Sequence, residues 1–386
     1  MTPPESRAPI HLFVPKYRVD ECLAEIRQCL EKGWTGLGFK TIEFEEAFKA
    51  YTKFPHAHFV ASATAGLHLA VRILKERERW RDGDEVITTP LTFVSTNHVL
   101  LHERLEPVFA DVDEHLCLDP ESVASRITPR TRAVMFVGLG GNPGRLKAVL
   151  ELCRSRKLLL ILDAAHMMGS RVDGMQAGHG ADATVFSFHA VKNLPTADGG
   201  MVCFPDPESD RNVRKWSWLG ISQDTYARTV GSAKKYRWRY EVEHVGFKYH
   251  GNSVMAALGL VSLRYLEEDN QYRRRLCATY ETLLAGCPGI STIPVSAGSE
   301  SSRHLFQVLA ANRDELMTYL NENQVFPGVH YRDNSEYPMY SGEAASCPTA
   351  RAASDRIISL PLHLQLNEAD LAQVTGTIRD FCEHRG

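Results

Sequence analysis

From residue 57 the apolar positions switch repeatedly between two periods. The runs "AHFVAS", "DEVITTP", "EPVFADVD", "TRAVMFVGLG", "LLLILDAAH", "ATVFSFH" and "GGMVCF" are short, rich in aliphatic and aromatic residues, and predict strands. Between them, "TAGLHLAVRILKERERW" places apolar residues at 67, 70, 71 and 74, the spacing of one helix face. "STNHVLLHERL", "DPESVASRI" and "GRLKAVLELCRSRK" predict further helices, the second opened by acidic and Ser residues that suit a helix start. Buried β-runs divided by amphipathic helices imply an α/β fold, with a mostly parallel sheet of about seven strands sandwiched by helices.

After about residue 250 the texture changes. "SVMAALGLVSLRYLEEDNQYRRRLCATYETLLAGC" reads as one long helix, bent at most once. The tail adds a strand ("HLFQVLA"), helices ("NRDELMTYLNEN" and "NEADLAQVTGTIRDFCEHR") and a Pro-bounded apolar segment, "IISLPLHL". This pattern predicts a large domain over 1–250 and a smaller C-terminal α+β domain over 251–386. A chain of 386 residues is long enough for about two cores. No internal repeat occurs, which excludes a solenoid.

Composition narrows the function classes. Apolar residues make up 44% and charged residues 24%, ordinary for a globular chain, and the net charge of −3 gives no reason to expect nucleic acid or an anionic membrane as partner. No apolar run approaches the ~20 residues that span a bilayer. "MTPPESRAPIHLF" lacks the layout of a secretory signal and reads as an exposed arm. The nine cysteines include no C-x-x-C pair, and such a scattered, odd set reads as reduced thiols in a cytoplasmic protein. "HAH", His56 to His58, reads as a strand edge with two exposed imidazoles rather than a metal site, because no second ligand cluster stands near it. No metal is expected.

In a sheet of this kind ligands bind beyond the carboxyl ends of the strands. The first strand ends at "ASATAG", where small residues from Ser62 to Gly66 would let a phosphate approach a helix N-terminus. The next ends at "TPLTFVST", which brings Phe93 over the same crevice. "LLLILDAAH" ends on Asp163, a carboxylate after an apolar run that needs a cationic or hydrogen-bonding partner if buried. Lys192, in "FSFHAVKNLPTADGG", also follows a strand end. The pair is open to two readings, a structural ion pair or a lysine nucleophile with an acid that pairs with a cofactor.

Six segments then occur in a telling order: "ASATAGLHLA", "GDEVITTPLTFVSTNHVLL", "PVFADVDEHLCLDPESV", "LDAAHMMGS", "FSFHAVKNLPTADGG" and "GFKYHGNSVMAALGLVSL". Together they resemble the DegT/DnrJ/EryC1/StrS group of pyridoxal-phosphate sugar aminotransferases, which have the aspartate aminotransferase (type I) fold. The likeness runs from "GWTGLGFKT" to "SLPLHLQLNEADLAQV". It implies that Lys192 forms a Schiff base with the aldehyde of pyridoxal 5'-phosphate and then acts as general base for the proton shift. It further implies that Asp163 pairs with the pyridine nitrogen, that His166 lies by the ring, and that Ala63, Thr64 and Ser187 cradle the phosphate. Phe93 would stack on the ring. Trp34 and Thr35 in "GWTGLG", with His330 and Tyr331 in "GVHYR", match segments on the substrate side. The resemblance also implies a homodimer with shared sites, in which Lys248 or His250 reaches the neighbouring cofactor phosphate. The implied reaction is a ping-pong transfer from L-glutamate to a keto-sugar, nucleotide-linked or otherwise.

Three departures stand out. The family's S-G-T is Ser62-Ala63-Thr64, the usual G-E-G-G is Ala197-Asp198-Gly199-Gly200, and the positions that often hold Asn are Lys248 and His250. Rival readings also exist. "GLGGNPG", Gly138 to Gly144, imitates a dinucleotide fingerprint, but its spacing is G-x-G-x-x-x-G with Pro143 in the turn. Sugar dehydratases of the same group carry His in place of the lysine, so Lys192 favours amino transfer. A cyclitol ketone as acceptor, or a cofactor-bound sensor without turnover, fits the same residues.

Overall fold

The computed structural model describes residues 8–222, 240–343 and 347–384. Residues 1–7 of the expected arm, and Arg385 of the expected tail helix, lie outside them. A short strand, β1 (Ile10–His11), opens the described chain. Then come β2 (His58–Val60), β3 (Glu85–Thr88), β4 (Glu106–Phe109), β5 (Thr131–Val137) and β6 (Leu159–Asp163). A small hairpin, β7 (Arg171–Val172) and β8 (Met175–Gln176), precedes β9 (Ala183–Ser187) and β10 (Gly200–Cys203). The C-terminal part holds β11 (Ile290–Thr292), β12 (Ser299–Glu300), β13 (Phe306–Ala310), β14 (Val325–Phe326) and β15 (Ile357–Leu360).

The main sheet has seven strands in the order β2-β10-β9-β6-β5-β3-β4. Only β10 runs against its neighbours, β2 and β9; the remaining pairs are parallel. Period-two alternation divides each central strand between two cores. Val134 and Phe136 of β5 and Leu160 and Leu162 of β6 enter the core lined by Phe44, Phe48 and Leu266. Their neighbours Ala133, Met135 and Ile161 enter the opposite core with Leu67, Val71 and Trp216. These residues are apolar because both faces are covered, and each fully buried Leu or Phe contributes roughly 1.5–3 kcal/mol.

The long helix occurs as expected, over Ser253–Leu284, with the Asn252 side chain capping it by accepting from Met255 N–H at 2.9 Å. It serves two cores. Ala256, Leu263 and Leu266 pack under the main sheet, whereas Leu276, Tyr280 and Leu284 pack with β13 and β15. The latter core also contains Leu316, Leu320 and Ile378 from the helices Arg313–Glu322 and Glu368–His384.

Two readings need correction. The described part of the expected arm, from residue 8, does not stay free. β1 pairs in parallel with β14, and Ile10 is buried. An isolated apolar strand edge is better paired than solvated. His58 is not an exposed imidazole either. Although β2 is an edge strand, His58 lies buried between Glu45 Oε1 at 2.9 Å and Ser217 Oγ at 2.8 Å, with Arg214 bonded to the same carboxylate. The buried Glu45 requires these partners.

Candidate active site

The parallel strands end on one side of the sheet, and the chemistry gathers there in a cavity of about 450 Å³. That volume falls within the range of roughly 300–1,000 Å³ usual for small-molecule sites.

Past β2, Ser62 caps the helix Ala63–Arg77 by accepting from Ala65 N–H at 3.2 Å. Ala63 and Thr64 open that helix and line the cavity. Their N–H groups belong to the first turn, where a helix has no carbonyl to bond them, so they are available to an anion. Gly200 sits close by: a Cβ there would lie 2.8 Å from Ala63 N and 2.8 Å from Phe186 O. Only glycine lets β10 start against this helix turn. Ser187, paired with Gly200 across the sheet, also lines the cavity.

Past β3, Phe93 precedes the helix Val94–His102 and is 55% exposed, its ring 5.8 Å from that of Tyr331. An aromatic face this open at a cavity wall is a platform and not core. One turn on, Thr96 Oγ1 donates to Asp163 Oδ2 at 2.7 Å, while Ala165 N–H donates to Oδ1 at 3.0 Å. Burial pushes the Asp163 carboxyl above its usual range; these two hydrogen bonds and the charge of Lys192 pull it back.

Lys192 lies in the connection between the antiparallel β9 and β10, in a turn closed by its N–H on His189 O at 2.8 Å. Burial lowers its ammonium to about 8, with Asp163 acting in the opposite direction. A lysine held there is an amine often enough to attack a carbonyl at neutral pH. Among the described residues it is the one lysine that lines the cavity, and no arginine does.

Four aromatic or imidazole groups complete the wall. His166 Nδ1 accepts from Gly140 N–H at 3.1 Å, so its proton resides on Nε2, 3.2 Å from Tyr331 Oη. His330 Nδ1 meets Ser359 Oγ at 2.9 Å, and Gln307 Nε2 donates to His330 O at 2.7 Å. His304 lies 3.4 Å from Lys192 Nζ through Nε2. Burial first, and the Lys192 charge second, depress all three imidazoles, His330 to about 4, so they are neutral at pH 7. The glycine run beneath is occupied by protein. A Cβ at Gly141 would meet Ser302 Oγ at 2.3 Å and His166 O at 2.9 Å. "GLGG" therefore seats His166 and leaves no room for the diphosphate of a dinucleotide.

The cavity thus joins Ala63, Thr64, Phe93, Asp163, His166, Ser187, Lys192, His330 and Tyr331. Trp34, Thr35, Lys248 and His250 do not line it. They gather elsewhere, at the start of the long helix. Ser253 N–H donates to Thr35 O at 3.1 Å, and His250 bridges to Val60. Lys248, exposed, lies over the Trp218 ring at 5.2 Å.

Sequence reasoning missed Phe13, Thr96 and His304. Thr96 stands one helical turn after Phe93, a spacing that places it on the same side. Phe13 stacks on His304, with centroids 5.6 Å apart and planes at 6°, and nothing in its local sequence announces that contact.

Pyridoxal phosphate fits these residues. One wall offers an amine for an aldehyde, another a buried carboxylate with unused lone pairs for a pyridine N–H, and a third a helix N-terminus for a phosphate.

Comparison with known proteins agrees. Residues 17–379 match the DegT/DnrJ/EryC1/StrS aminotransferase family. The chain is 32% identical over 382 residues, 97% of each protein, to a dTDP-4-dehydro-2,3,6-trideoxy-D-glucose 4-aminotransferase of Saccharopolyspora spinosa. Among solved structures, the aminotransferase TlmJ of Streptoalloteichus hindustanus superposes with a TM-score of 0.88 at 33% identity, covering 96% of this chain and 98% of that one. The PLP-form of Spr1654, described as a putative sugar aminotransferase of Streptococcus pneumoniae, gives 0.88 at 26% identity over 97% and 99%.

Proposed function

The chain belongs to the DegT/DnrJ/EryC1/StrS aminotransferase family and is a sugar aminotransferase of the pyridoxal-phosphate type, and we propose that it moves the amino group of L-glutamate to a nucleotide-linked keto-sugar. The observation that carries this reading is the presence of Lys192 and Asp163 in one cavity, close enough for each charge to act on the other.

When bound, the cofactor supplies an aldehyde that takes up the amino group and a ring that accepts electrons as a proton leaves carbon. The protein does the rest. Lys192 would hold the aldehyde and, as an amine, supply the base that takes up and returns a proton. Asp163, whose ionised form Thr96 Oγ1 and Ala165 N–H favour, would pair with the ring nitrogen. The first turn at Ala63 and Thr64, with Ser187, binds the phosphate, and Phe93 covers the ring. His166 fixes Tyr331 by donating from Nε2, which leaves the phenol proton free to point into the cavity.

In this reading the site is shared in a homodimer. Among the described residues the cavity's own wall holds a single lysine and no arginine, few cations for a phosphate, a donor carboxylate and a diphosphate together. Lys248, His250, Trp34 and Thr35, which do not line their own cavity, are the groups a partner would contribute. A cytoplasmic setting suits nine cysteines that are all free. Among the described residues no helix is long and apolar enough to cross a membrane.

The test is a pair of half-reactions. L-Glutamate should bleach the absorbance of the lysine-bound cofactor, and the correct keto-sugar nucleotide should restore it. Bleaching by L-alanine but not L-glutamate would overturn the donor; recovery with free keto-cyclitols but no nucleotide sugar would overturn the acceptor.

A further inference from the structure

We infer that His304 is a positioning residue for Lys192, held in one tautomer by a buried amide relay so that an acceptor nitrogen faces the lysine. This rests on the reading of Lys192 as the reactive amine.

The relay begins at a backbone carbonyl. Asn270 Nδ2, on the long helix, donates to Met168 O at 3.0 Å, which turns its Oδ1 toward Asn193. Asn193 Nδ2 donates to that Oδ1 at 2.7 Å and to Ser302 O at 2.8 Å. Both of its protons are then used on acceptors, so the amide cannot flip without setting oxygen against oxygen. Asn193 Oδ1 is left facing His304 Nδ1 at 3.1 Å, and an oxygen there requires a proton on Nδ1. A neutral imidazole protonated on Nδ1 has its lone pair on Nε2, the atom 3.4 Å from Lys192 Nζ.

Asn193, Asn270 and His304 are all buried, so water does not scramble the order. Phe13 stacks on the imidazole and His166 packs beside it with centroids 4.5 Å apart, which restrains the ring plane. Asn193 follows Lys192 directly in the chain, so the same turn that presents the amine also anchors the relay. The consequence is directional. One N–H of Lys192 is drawn to His304, and the remaining valences of the nitrogen are left for the cavity.

The charged and titratable groups around the pair are Asp163, His166, His330 and Tyr331 about the cavity, with Arg273 facing His304 from the long helix. Asp163 is the charge that raises the Lys192 pKa, and the Nε2 lone pair of His304 adds an acceptor 3.4 Å away. His304 accordingly steadies the ammonium as well as aiming the amine.

The experiment uses the full-length, cofactor-free protein. The rate of Lys192 carbamylation by cyanate is followed against pH by peptide mass spectrometry in wild type, His304→Leu and His304→Gln. The glutamine amide oxygen reaches the Nε2 position and can accept. Loss of the acceptor in His304→Leu should lower the Lys192 midpoint by about one pH unit, and His304→Gln should restore most of it. An unchanged midpoint in His304→Leu, or a His304→Gln midpoint equal to that of His304→Leu, overturns the proposal. Melting curves of both variants report folding separately. Failure of the wild type to take up pyridoxal phosphate would instead overturn the functional reading, since the titration needs no cofactor.

Discussion

The hydroxyl of Thr96 donates to Asp163 Oδ2 at 2.7 Å, and because that proton is committed, the Thr92 hydroxyl 2.9 Å away must donate to Thr96. Two threonines thus aim a hydrogen-bond chain at a buried carboxylate from the helix that also carries the aromatic platform. The chain favours the ionised form of Asp163 against the burial that raises its pKa, and that form is the one a protonated ring nitrogen would pair with.

Thr96→Val should therefore raise the Asp163 pKa and lower turnover by about tenfold, the scale of one hydrogen bond to a charged group. Asp163→Asn should cost about 10²-fold or more while cofactor occupancy changes little. Steady-state rates beside absorbance titrations of bound cofactor check both. Equal losses of rate and occupancy would contradict the assigned role.

Shared sites make a sharper prediction. Lys192→Ala and the double variant Lys248→Ala/His250→Ala should each be inactive alone. Unfolded and refolded together, they form mixed dimers with one intact site, so about a quarter of wild-type activity should return. No recovery on mixing would place both groups in the same site or neither in any.

The buried Glu45 offers a test away from the chemistry. Burial alone would raise its pKa, yet Arg214, His58 and Phe59 N–H together lower it from 4.5 to about 2. Its folded pKa is depressed, so its contribution is present above the unfolded value and is lost as pH falls from about 4.5 toward 2. Glu45→Gln should destabilise by about 2–4 kcal/mol at pH 7, with the gap to wild type closing on acidification through that window. Denaturant melts across pH check it, and a gap independent of pH would contradict it.

Much of this molecule was legible in the chain because the determinants are local. β5 from Ala133 and β6 up to Leu162 are apolar without a break, Asp163 ends β6, and Lys192 lies in the turn after β9. What escaped was set by tertiary contact. The helices Val19–Lys32 and Phe39–Thr52 were not predicted, and their burial explains why. The first buries Cys22 and Cys29 while exposing Val19, Leu23 and Leu30; the second buries Lys40, Thr41 and Glu45 along with Phe44 and Phe48. Hydrophobic periodicity is a poor guide when polar residues share the inward face and apolar ones lie outside. His304 escaped for a different reason. It stands just before β13, 112 residues from Lys192, and a tertiary contact seats it there, its N–H donating to Gly140 O at 3.0 Å.

The measurement that reaches the central claim most directly is the visible absorbance of Lys192→Ala purified with pyridoxal phosphate. The variant should melt as the wild type does, bind the cofactor reversibly and lack the band of the lysine-linked form, with no turnover of any keto-sugar. A folded Lys192→Ala protein that kept this band, or that still transferred the amine, would contradict the account.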